Sequence, residues 1–257
     1  MIIKNAKTML RGMNNMNIIE SFLTKNPCYT AGKKITVKGL VLHSVGCPQP
    51  KASVFIDNWN KSSYDRACVH AFIDGNTGDT YQTLPWNHRG WHGGGSSNNT
   101  HIGVEMCEPA CIKYTSGANF TCSDLAEARA VATRTYESAV ELFAHLCKKF
   151  NLTPTGKGVI MSHAEAAKLG LASNHADPEH LWKGLGLDYT MDKFRKDVQS
   201  SMNKVELLTS ANDITWELNN SFFPITDMKK FVSELDDAKQ KNSSLYWGYY
   251  KLVNKIK

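Results

Sequence analysis

The sequence predicts an α/β domain in which a central mixed β-sheet is flanked by helices, followed by a small C-terminal module of three helices. Short apolar runs alternate with segments of helical period, which is typical of a sheet covered by helices. The 257 residues suffice for one full hydrophobic core and a smaller second one. The change of pattern near residue 200 predicts a first domain over residues 17–202 and a second over residues 203–257.

Five short runs predict the strands of the sheet. Residues 37–44 and 159–161 are apolar and partly β-branched, as buried strands are. Residues 69–74 and 80–84 flank a turn rich in aspartate, glycine and asparagine, so they predict a β-hairpin. Residues 101–108 alternate with a period of two, which also predicts a strand.

Helical periodicity is clearest between residues 123 and 150. Apolar residues recur there at spacings of three and four, and Ser123 is the expected N-cap. A shorter helix is predicted over residues 164–169, where Gly170 ends it. The residues before Met16 are interpreted as an extension of little structural weight.

The predicted C-terminal module consists of three helices, over residues 205–218, 227–239 and 245–256. It carries more aromatic residues than three short helices need for a core: Trp216, Phe222, Phe223, Tyr246, Trp247, Tyr249 and Tyr250. Aromatic surfaces of this kind favour binding, either to an external target, to the first domain or to a second subunit. The alternative is that all of these rings are buried in a small core.

The composition excludes disordered and fibrous proteins. Hydrophobic residues make up 42% and charged residues 21% of the chain, which is ordinary for a globular protein. The net charge is +6 but the lysines are scattered, so we expect attraction to an anionic polymer rather than a nucleic-acid partner. No run approaches the roughly 18 apolar residues of a membrane span, so we expect no membrane insertion. The N-terminus also lacks the apolar run of a secretory signal.

The seven cysteines favour reduced thiols. Their number is odd, and the chain is not a small disulfide scaffold. Cys107 and Cys111 have a spacing that suggests a metal pair, but no second pair completes such a site. The favoured interpretation is that these thiols pack as small hydrophobic side chains.

Candidate metal ligands stand at the ends of predicted strands and in one loop. His43 follows the apolar run GLVL, His163 follows VIMS, and Asp177 lies in NHADP. Catalytic zinc takes three protein ligands, commonly imidazole nitrogen or carboxylate oxygen, and leaves one position for water. Because the chain has nine histidines, spacing alone does not single out this triplet. Hydrogen-bonded or surface histidines are the alternative.

Five segments carry a resemblance to a known family. In chain order they are VLHS, VHAFIDGNTGDTYQTLPWNHRGWHGG, NNTHIGVEMCEP, VIMSHAEAAKLG and NHADPEHLW. They resemble the type-2 N-acetylmuramoyl-L-alanine amidases, a family that includes peptidoglycan-recognition proteins and amidase-type phage lysozymes. The resemblance covers most of residues 17–200 and is strongest to endolysins and autolysins of Gram-positive bacteria and their phages. It implies that the partner is cell-wall peptidoglycan and that the bond cut joins N-acetylmuramic acid to L-alanine.

The resemblance also implies a zinc cofactor held by His43, His163 and Asp177. The family's ligands are two histidines with a cysteine or an aspartate. A non-catalytic receptor of the same fold would lack a complete ligand set, so the presence of Asp177 favours an enzyme. A peptidase acting within the stem peptide is a further alternative, which the absence of a helical HExxH motif weakens.

Glu105 is the candidate for the group that takes a proton from water and passes it to the departing amine. Strand alternation places it opposite Val104 and Met106, and the family's IGxE segment implies a glutamate at the site. Glu108 is the second candidate. The alternative for Glu105 is a solvated or salt-bridged surface residue.

Two histidines are assigned by position relative to the family. His175 precedes Asp177 by two residues, where many relatives carry a lysine or threonine that stabilises the oxyanion. We therefore predict a catalytic role for His175. His70 lies near a position where some relatives carry a tyrosine, and it is predicted to face the substrate. A strand histidine without a function is the alternative for His70.

An aromatic stretch followed by three glycines predicts contacts with the substrate. Trp86, Trp91 and His92 are its candidate residues, because flat rings suit the faces of sugars and glycines let a ligand approach the backbone. Burial of the tryptophans in a core is the alternative.

The predicted biological role is lysis of bacterial cell walls. The C-terminal module and the resemblance to endolysins favour a phage or prophage enzyme over an intracellular recycling amidase or a bacterial autolysin. Without a secretory signal, such an enzyme is expected to stay in the cytoplasm until a holin opens the membrane. The sequence leaves the host, the preferred stem peptide and the oligomeric state open.

Overall fold

The computed structural model describes residues 17–202. The predicted three-helix module and the extension before Met16 lie outside these residues. The strands, in chain order, are β1 (Ile18–Glu20), β2 (Gly39–Ser44), β3 (Ala71–Ile73), β4 (Thr80–Gln82), β5 (His101–Met106), β6 (Ile112–Ser116), β7 (Asn119–Cys122) and β8 (Ile160–Ser162). The helices are α1 (Pro27–Ala31), α2 (Ala52–Trp59), α3 (Leu125–Phe150), α4 (His163–Lys168), α5 (Glu179–Gly184) and α6 (191–202), with a 3₁₀ helix at Ser96–Asn99.

Six strands form one mixed sheet in the order β1-β4-β3-β5-β2-β8. The pair β3–β4 is antiparallel, as the predicted hairpin requires, and the other neighbours are parallel. Strands β6 and β7 form a separate antiparallel hairpin. The predicted class, a central mixed sheet flanked by helices, is confirmed.

Strand β2 lies between β5 and β8 and is buried along its whole length. Its continuous apolar run, GLVL, is typical of a parallel strand covered on both faces. The central strands β2 and β5 contribute fully buried side chains to the core: Leu40 and Leu42 from β2, and Ile102 and Val104 from β5. The core therefore surrounds β2 and β5, and β2 carries His43 near its carboxyl-terminal end.

Helix α3 packs one face onto the sheet and begins one residue later than predicted. Its N-cap is Asp124, whose side chain accepts a hydrogen bond from the main-chain N–H of Glu127 at 3.0 Å. The prediction of Ser123 as N-cap is wrong, because the Ser123 hydroxyl donates instead to the carbonyl of Cys111. The buried face of the helix consists of Ala128, Val131, Ala132, Thr135, Tyr136, Ala139, Leu142, Phe143, Ala144, Leu146 and Cys147.

Helix α4 begins directly where β8 ends. Ser162 is its N-cap, and a capping box joins the Ser162 side chain to the main chain of Glu165 while the Glu165 carboxylate accepts from the main chain of Ser162. His163 is therefore the first helical residue, one position earlier than predicted. The capping box fixes the direction in which the chain leaves the sheet at this histidine.

Several short elements were not predicted. The hairpin β6–β7 has mostly exposed or half-buried residues, so it lacks a clear apolar alternation. Its buried residue Ile112 packs with Ala128, Ala132, Leu181 and Leu185 of helix α3 and the α5 region.

Among the described residues, no helix combines the length and the apolar character that crossing a bilayer requires.

The substitution Phe143→Ala should lower the free energy of unfolding by about 3–5 kcal/mol, because it opens a cavity in the core. Phe143 is fully buried, and its ring packs edge-on against that of Phe194, with the ring centroids 5.1 Å apart. Urea unfolding followed by circular dichroism measures the change. Glu137→Ala, on the exposed face of the same helix, is the control and should stay within about 0.5 kcal/mol of the wild type. Equal losses in the two variants would contradict this assignment of the core.

Candidate functional site

The candidate site lies at the carboxyl-terminal edge of the parallel strands. His43 is near the end of β2, and His163 follows β8 immediately. Strands β2 and β8 are paired in parallel with Leu42 opposite Ser162, so the next residue of each chain segment is a histidine at the same level. Asp177 reaches this edge from the segment that precedes α5. Strand register thus brings His43 and His163 together, and the segment before α5 adds Asp177.

The three side chains converge through defined atoms. The Nδ1 atoms of His43 and His163 are 3.0 Å apart, and Nδ1 of His43 is 3.2 Å from Oδ2 of Asp177. Nδ1 of His163 is 3.5 Å from Oδ1 of Asp177. All three residues are buried, and one potential ligand atom from each lies within 4.8 Å of the others. Two imidazole nitrogens and a carboxylate oxygen are a donor set that suits zinc.

The charge states of these groups also suit a cation. Burial acts to raise the pKa of Asp177, but the neighbouring imidazole rings of His163, His175 and His43 outweigh it and hold that pKa well below its usual range. Burial lowers the pKa of His43. An ionised carboxylate next to a neutral imidazole is the state in which these ligands bind metal.

A cavity of about 790 Å³ opens above the three ligands. This volume falls within the usual range of small-molecule sites. Trp91 and His92 line it, as do Glu105 and His175. Trp91 is 47% exposed, which makes it one of the large apolar side chains that the described surface presents to solvent. A ligand in this cavity would therefore meet an open tryptophan ring.

Glu105 stands next to His43 on the neighbouring strand. The parallel register of β2 and β5 pairs the two residues directly, so their side chains share one face of the sheet. Oε2 of Glu105 is buried and has no hydrogen-bond partner. Burial, together with the negative charges of Asp177 and Glu108, raises the pKa of Glu105 well above its ordinary value. A carboxyl group with a raised pKa binds a proton more readily than an ordinary glutamate does, as a group that transfers protons in catalysis must.

Glu108 is more deeply buried than Glu105 and is fully engaged. Its Oε1 accepts from the main-chain N–H of Gly46 at 3.1 Å, and its Oε2 accepts from the hydroxyl of Tyr114 at 2.7 Å. Burial raises the pKa of Glu108 to about 7. The Tyr114 hydroxyl also lies 2.7 Å from Nε2 of His180, and both of these side chains line the cavity.

The sequence analysis did not identify Tyr114 and His180 as site residues. Tyr114 lies in the unpredicted hairpin β6–β7, and 66 residues separate it from His180. The signal available in the sequence was a tyrosine six residues after Glu108. Its contact with Glu108 can be inferred only once it is known that the chain forms a hairpin there.

His175 lies at the edge of the cavity, with 58% of its side chain exposed. Its ring stacks on that of His163 with centroids 4.3 Å apart, and its Nδ1 is 3.5 Å from Oδ1 of Asp177. The hydrogen bond with Asp177 raises the pKa of His175, while partial burial opposes this. The residue thus combines a fixed ring plane with an accessible edge.

The remaining predicted substrate residues lie in different surroundings. His92 borders the cavity but is buried, and its Nδ1 lies 3.0 Å from Nε2 of His43. His70 is fully buried: its Nε2 donates to the carbonyl of His88, and its Nδ1 accepts from the main-chain N–H of Gly103. Trp86 is also buried. Neither His70 nor Trp86 is among the described residues that line the cavity.

Comparison with solved structures shows the fold. The structure of the Staphylococcus aureus hydrolase AmiA in complex with its ligand is similar to this chain with a TM-score of 0.57, at 20% identity over 77% of this chain and 89% of that one. The solution structure of the PlyG catalytic domain gives a TM-score of 0.50, at 15% identity over 73% of this chain and 96% of that one.

Sequence comparison identifies the family. A bifunctional autolysin of Staphylococcus aureus (strain MSSA476) is 23% identical over 226 residues, which cover 85% of this chain. The match spans only 16% of the length of that autolysin. The model of the family Amidase_2, described as N-acetylmuramoyl-L-alanine amidase, matches residues 33–180. Because this match includes more than half of the residues, the chain belongs to the Amidase_2 family of N-acetylmuramoyl-L-alanine amidases.

Proposed function

We propose that this chain is a zinc-dependent amidase that cuts peptidoglycan between N-acetylmuramic acid and the L-alanine of the stem peptide. The observation that carries the proposal is the convergence of His43, His163 and Asp177 at the base of an open cavity. Membership of the Amidase_2 family supports the same activity. A receptor that only binds muropeptides has no need of a complete set of buried metal ligands, so the ligand set favours an enzyme.

The Nδ1 atoms of His43 and His163 and the carboxylate of Asp177 would hold the zinc ion. When bound, zinc supplies Lewis acidity towards the scissile carbonyl and towards a water molecule. The protein supplies the orientation, because all three ligands are buried and strand register and helix capping hold the two histidines.

Glu105 takes the proton of the attacking water and passes it to the nitrogen of the departing amine as the carbon–nitrogen bond breaks. Its position beside His43, its unpartnered oxygen and its raised pKa support this role. Glu108 is the second candidate. Its two carboxylate oxygens already accept hydrogen bonds from Gly46 and Tyr114, which makes it less free to receive a further proton donor.

His175 and Trp91 complete the proposed site. The accessible edge of His175 is placed to donate a hydrogen bond to the oxygen that gains charge on the attacked carbonyl. The exposed ring of Trp91 offers a flat apolar face for the sugar. The interior positions of Trp86 and His70 favour a supporting role for them in our proposal.

For the biological role, we propose lysis of bacterial cell walls by a phage or prophage endolysin that is retained in the cytoplasm until a holin releases it. A bacterial autolysin and a recycling amidase are the alternatives, since they would use the same chemistry. Attachment of residues 203–257 to the cell wall belongs to the same proposal, and a supporting role for that module is its alternative.

Purified cell walls digested with the protein should release stem peptides that begin with a free amino group on L-alanine, as mass spectrometry of the products would detect. Chelation of zinc should abolish the cleavage and added zinc should restore it, because two imidazole nitrogens and a carboxylate oxygen suit a divalent cation. Products cut within the peptide or between sugars would contradict the proposed bond. Anomalous scattering at the zinc edge that placed the ion on cysteines would contradict the proposed ligands.

The substitution Glu105→Gln should lower turnover by about 10²–10⁴-fold, because it removes the proton acceptor while keeping the shape of the side chain. Zinc content and muropeptide affinity should stay near the wild type. Glu108→Gln is the matched variant and should retain more activity, since Glu108 is held by Tyr114 and Gly46. A larger loss in Glu108→Gln than in Glu105→Gln would transfer the role to Glu108.

Glu108 should also make stability depend on pH. Its pKa in the folded protein is about 7, above the ordinary 4.5, so the folded state holds a proton that the unfolded chain releases. Stability from this group is therefore lost as pH rises from about 4.5 to about 7, by an amount on the order of 3 kcal/mol. Urea unfolding of the metal-free wild type and Glu108→Gln over this range measures the difference. The variant should gain relative to the wild type as pH rises, and parallel curves would contradict the assignment.

A further inference from the structure

The imidazole ring of His92 lies directly behind His43, one of the proposed metal ligands. The ring of His92 meets the ring of His43 edge-on, with centroids 5.2 Å apart and an interplanar angle of 75°. Nδ1 of His92 is 3.0 Å from Nε2 of His43, on the side of the His43 ring that faces away from His163 and Asp177. Nε2 of His92 is 3.1 Å from the main-chain carbonyl oxygen of His101.

The positions of the hydrogens follow from these partners. A carbonyl oxygen only accepts, so Nε2 of His92 carries the hydrogen that it donates to His101. In a neutral imidazole the other nitrogen is then an acceptor, so Nδ1 of His92 receives a hydrogen from Nε2 of His43. The His43 ring is thereby left with a bare Nδ1, the atom directed at His163 and Asp177. A hydrogen on that Nδ1 instead could donate to Asp177, but it would leave two bare nitrogens of His43 and His92 facing each other at 3.0 Å.

We propose that His92 is a positioning residue that fixes the tautomer and the ring orientation of His43, so that Nδ1 of His43 is free to bind metal. This inference rests on the proposed metal site. It replaces direct contact with the substrate as the role of His92, because both ring nitrogens of His92 are engaged inside the protein. Ligand histidines generally depend on such a partner at the nitrogen that does not bind the metal.

His92 is itself held in place by the chain around it. The main-chain N–H groups of His92 and Gly93 both donate to Oδ1 of the buried Asn98, each at 2.9 Å. On strand β5, a Cβ atom at Gly103 would lie 2.3 Å from Cγ of the His92 ring, closer than real contacts allow. Glycine at position 103 therefore provides the space that the His92 ring occupies.

Zinc affinity tests the inference without reference to activity. Competition with a chromophoric chelator should show that His92→Leu binds zinc about 10–100-fold more weakly than the wild type. His92→Asn should recover part of the loss, because its amide oxygen can accept the hydrogen of Nε2 of His43. His101→Leu is the control: it removes a buried imidazole whose nitrogens bond to Thr100 and Gly158, and it should bind zinc like the wild type. Circular dichroism establishes that each variant is folded.

The tautomer itself can be read in the metal-free wild type by long-range ¹H–¹⁵N NMR of labelled histidines. His43 should show a protonated Nε2 and a bare Nδ1, and this measurement decides the matter if His92→Leu fails to fold. A protonated Nδ1 on His43, or a folded His92→Leu with unchanged zinc affinity, would overturn the inference. A wild-type protein that binds no zinc would instead overturn the proposed metal site.

Discussion

The parallel pairing of strand β2 with its two neighbours is the constraint on which the site depends. One neighbour, β5, places Glu105 directly beside His43, and the other, β8, brings His163 to the same level. Parallel strands end at the same edge of a sheet, so a single register delivers three groups from distant parts of the chain. A slip by one residue would turn each side chain to the opposite face, so the register is fixed by the buried apolar residues of β2 and β5.

Burial decides the electrostatics at this edge. Three carboxyl groups lie in the same region, but only Asp177 is surrounded by imidazole rings, which keep it ionised. Glu105 and Glu108 are not surrounded in this way, and burial raises the pKa of each. One anionic and two neutral ligands would leave a bound divalent cation with a net positive charge, which favours the negative charge that develops on an attacked carbonyl. The neighbouring carboxyl groups retain the ability to carry protons.

The hairpin β6–β7 supplies one wall of the cavity through Tyr114, Gly117 and Ala118. A two-stranded hairpin is only marginally stable by itself. Here Ile112 anchors it in a cluster with helix α3, and the bond from Tyr114 to Glu108 ties it to the segment that follows β5. The shape of the cavity thus depends on a polar contact that also acts to lower the pKa of Glu108, against the larger effect of burial.

Local patterns in the sequence determined the type of each main element. Period-two and apolar runs located five of the six strands of the main sheet, and a spacing of three and four located helix α3, because these signals arise from neighbouring residues that share one face. The residue types at positions 43, 163 and 177 also determined which metal chemistry is available. The boundaries were less well determined, as Asp124 shows: capping depends on which of two adjacent polar side chains has another partner, and Ser123 bonds to Cys111.

Only the tertiary structure decided how the candidate residues are used. His43 and His163 are 120 residues apart, and their contact exists only through strand register. The buried position of His92 depends on strand β5 having a glycine, Gly103, where the His92 ring packs. The hydrogen bond from Tyr114 to Glu108 depends on a hairpin whose sequence has no clear periodicity. The sequence determined the chemical groups because they are properties of single residues. Their exposure, hydrogen-bond partners and charge states are set by residues distant in the chain, so they were decided by the packing of the folded protein.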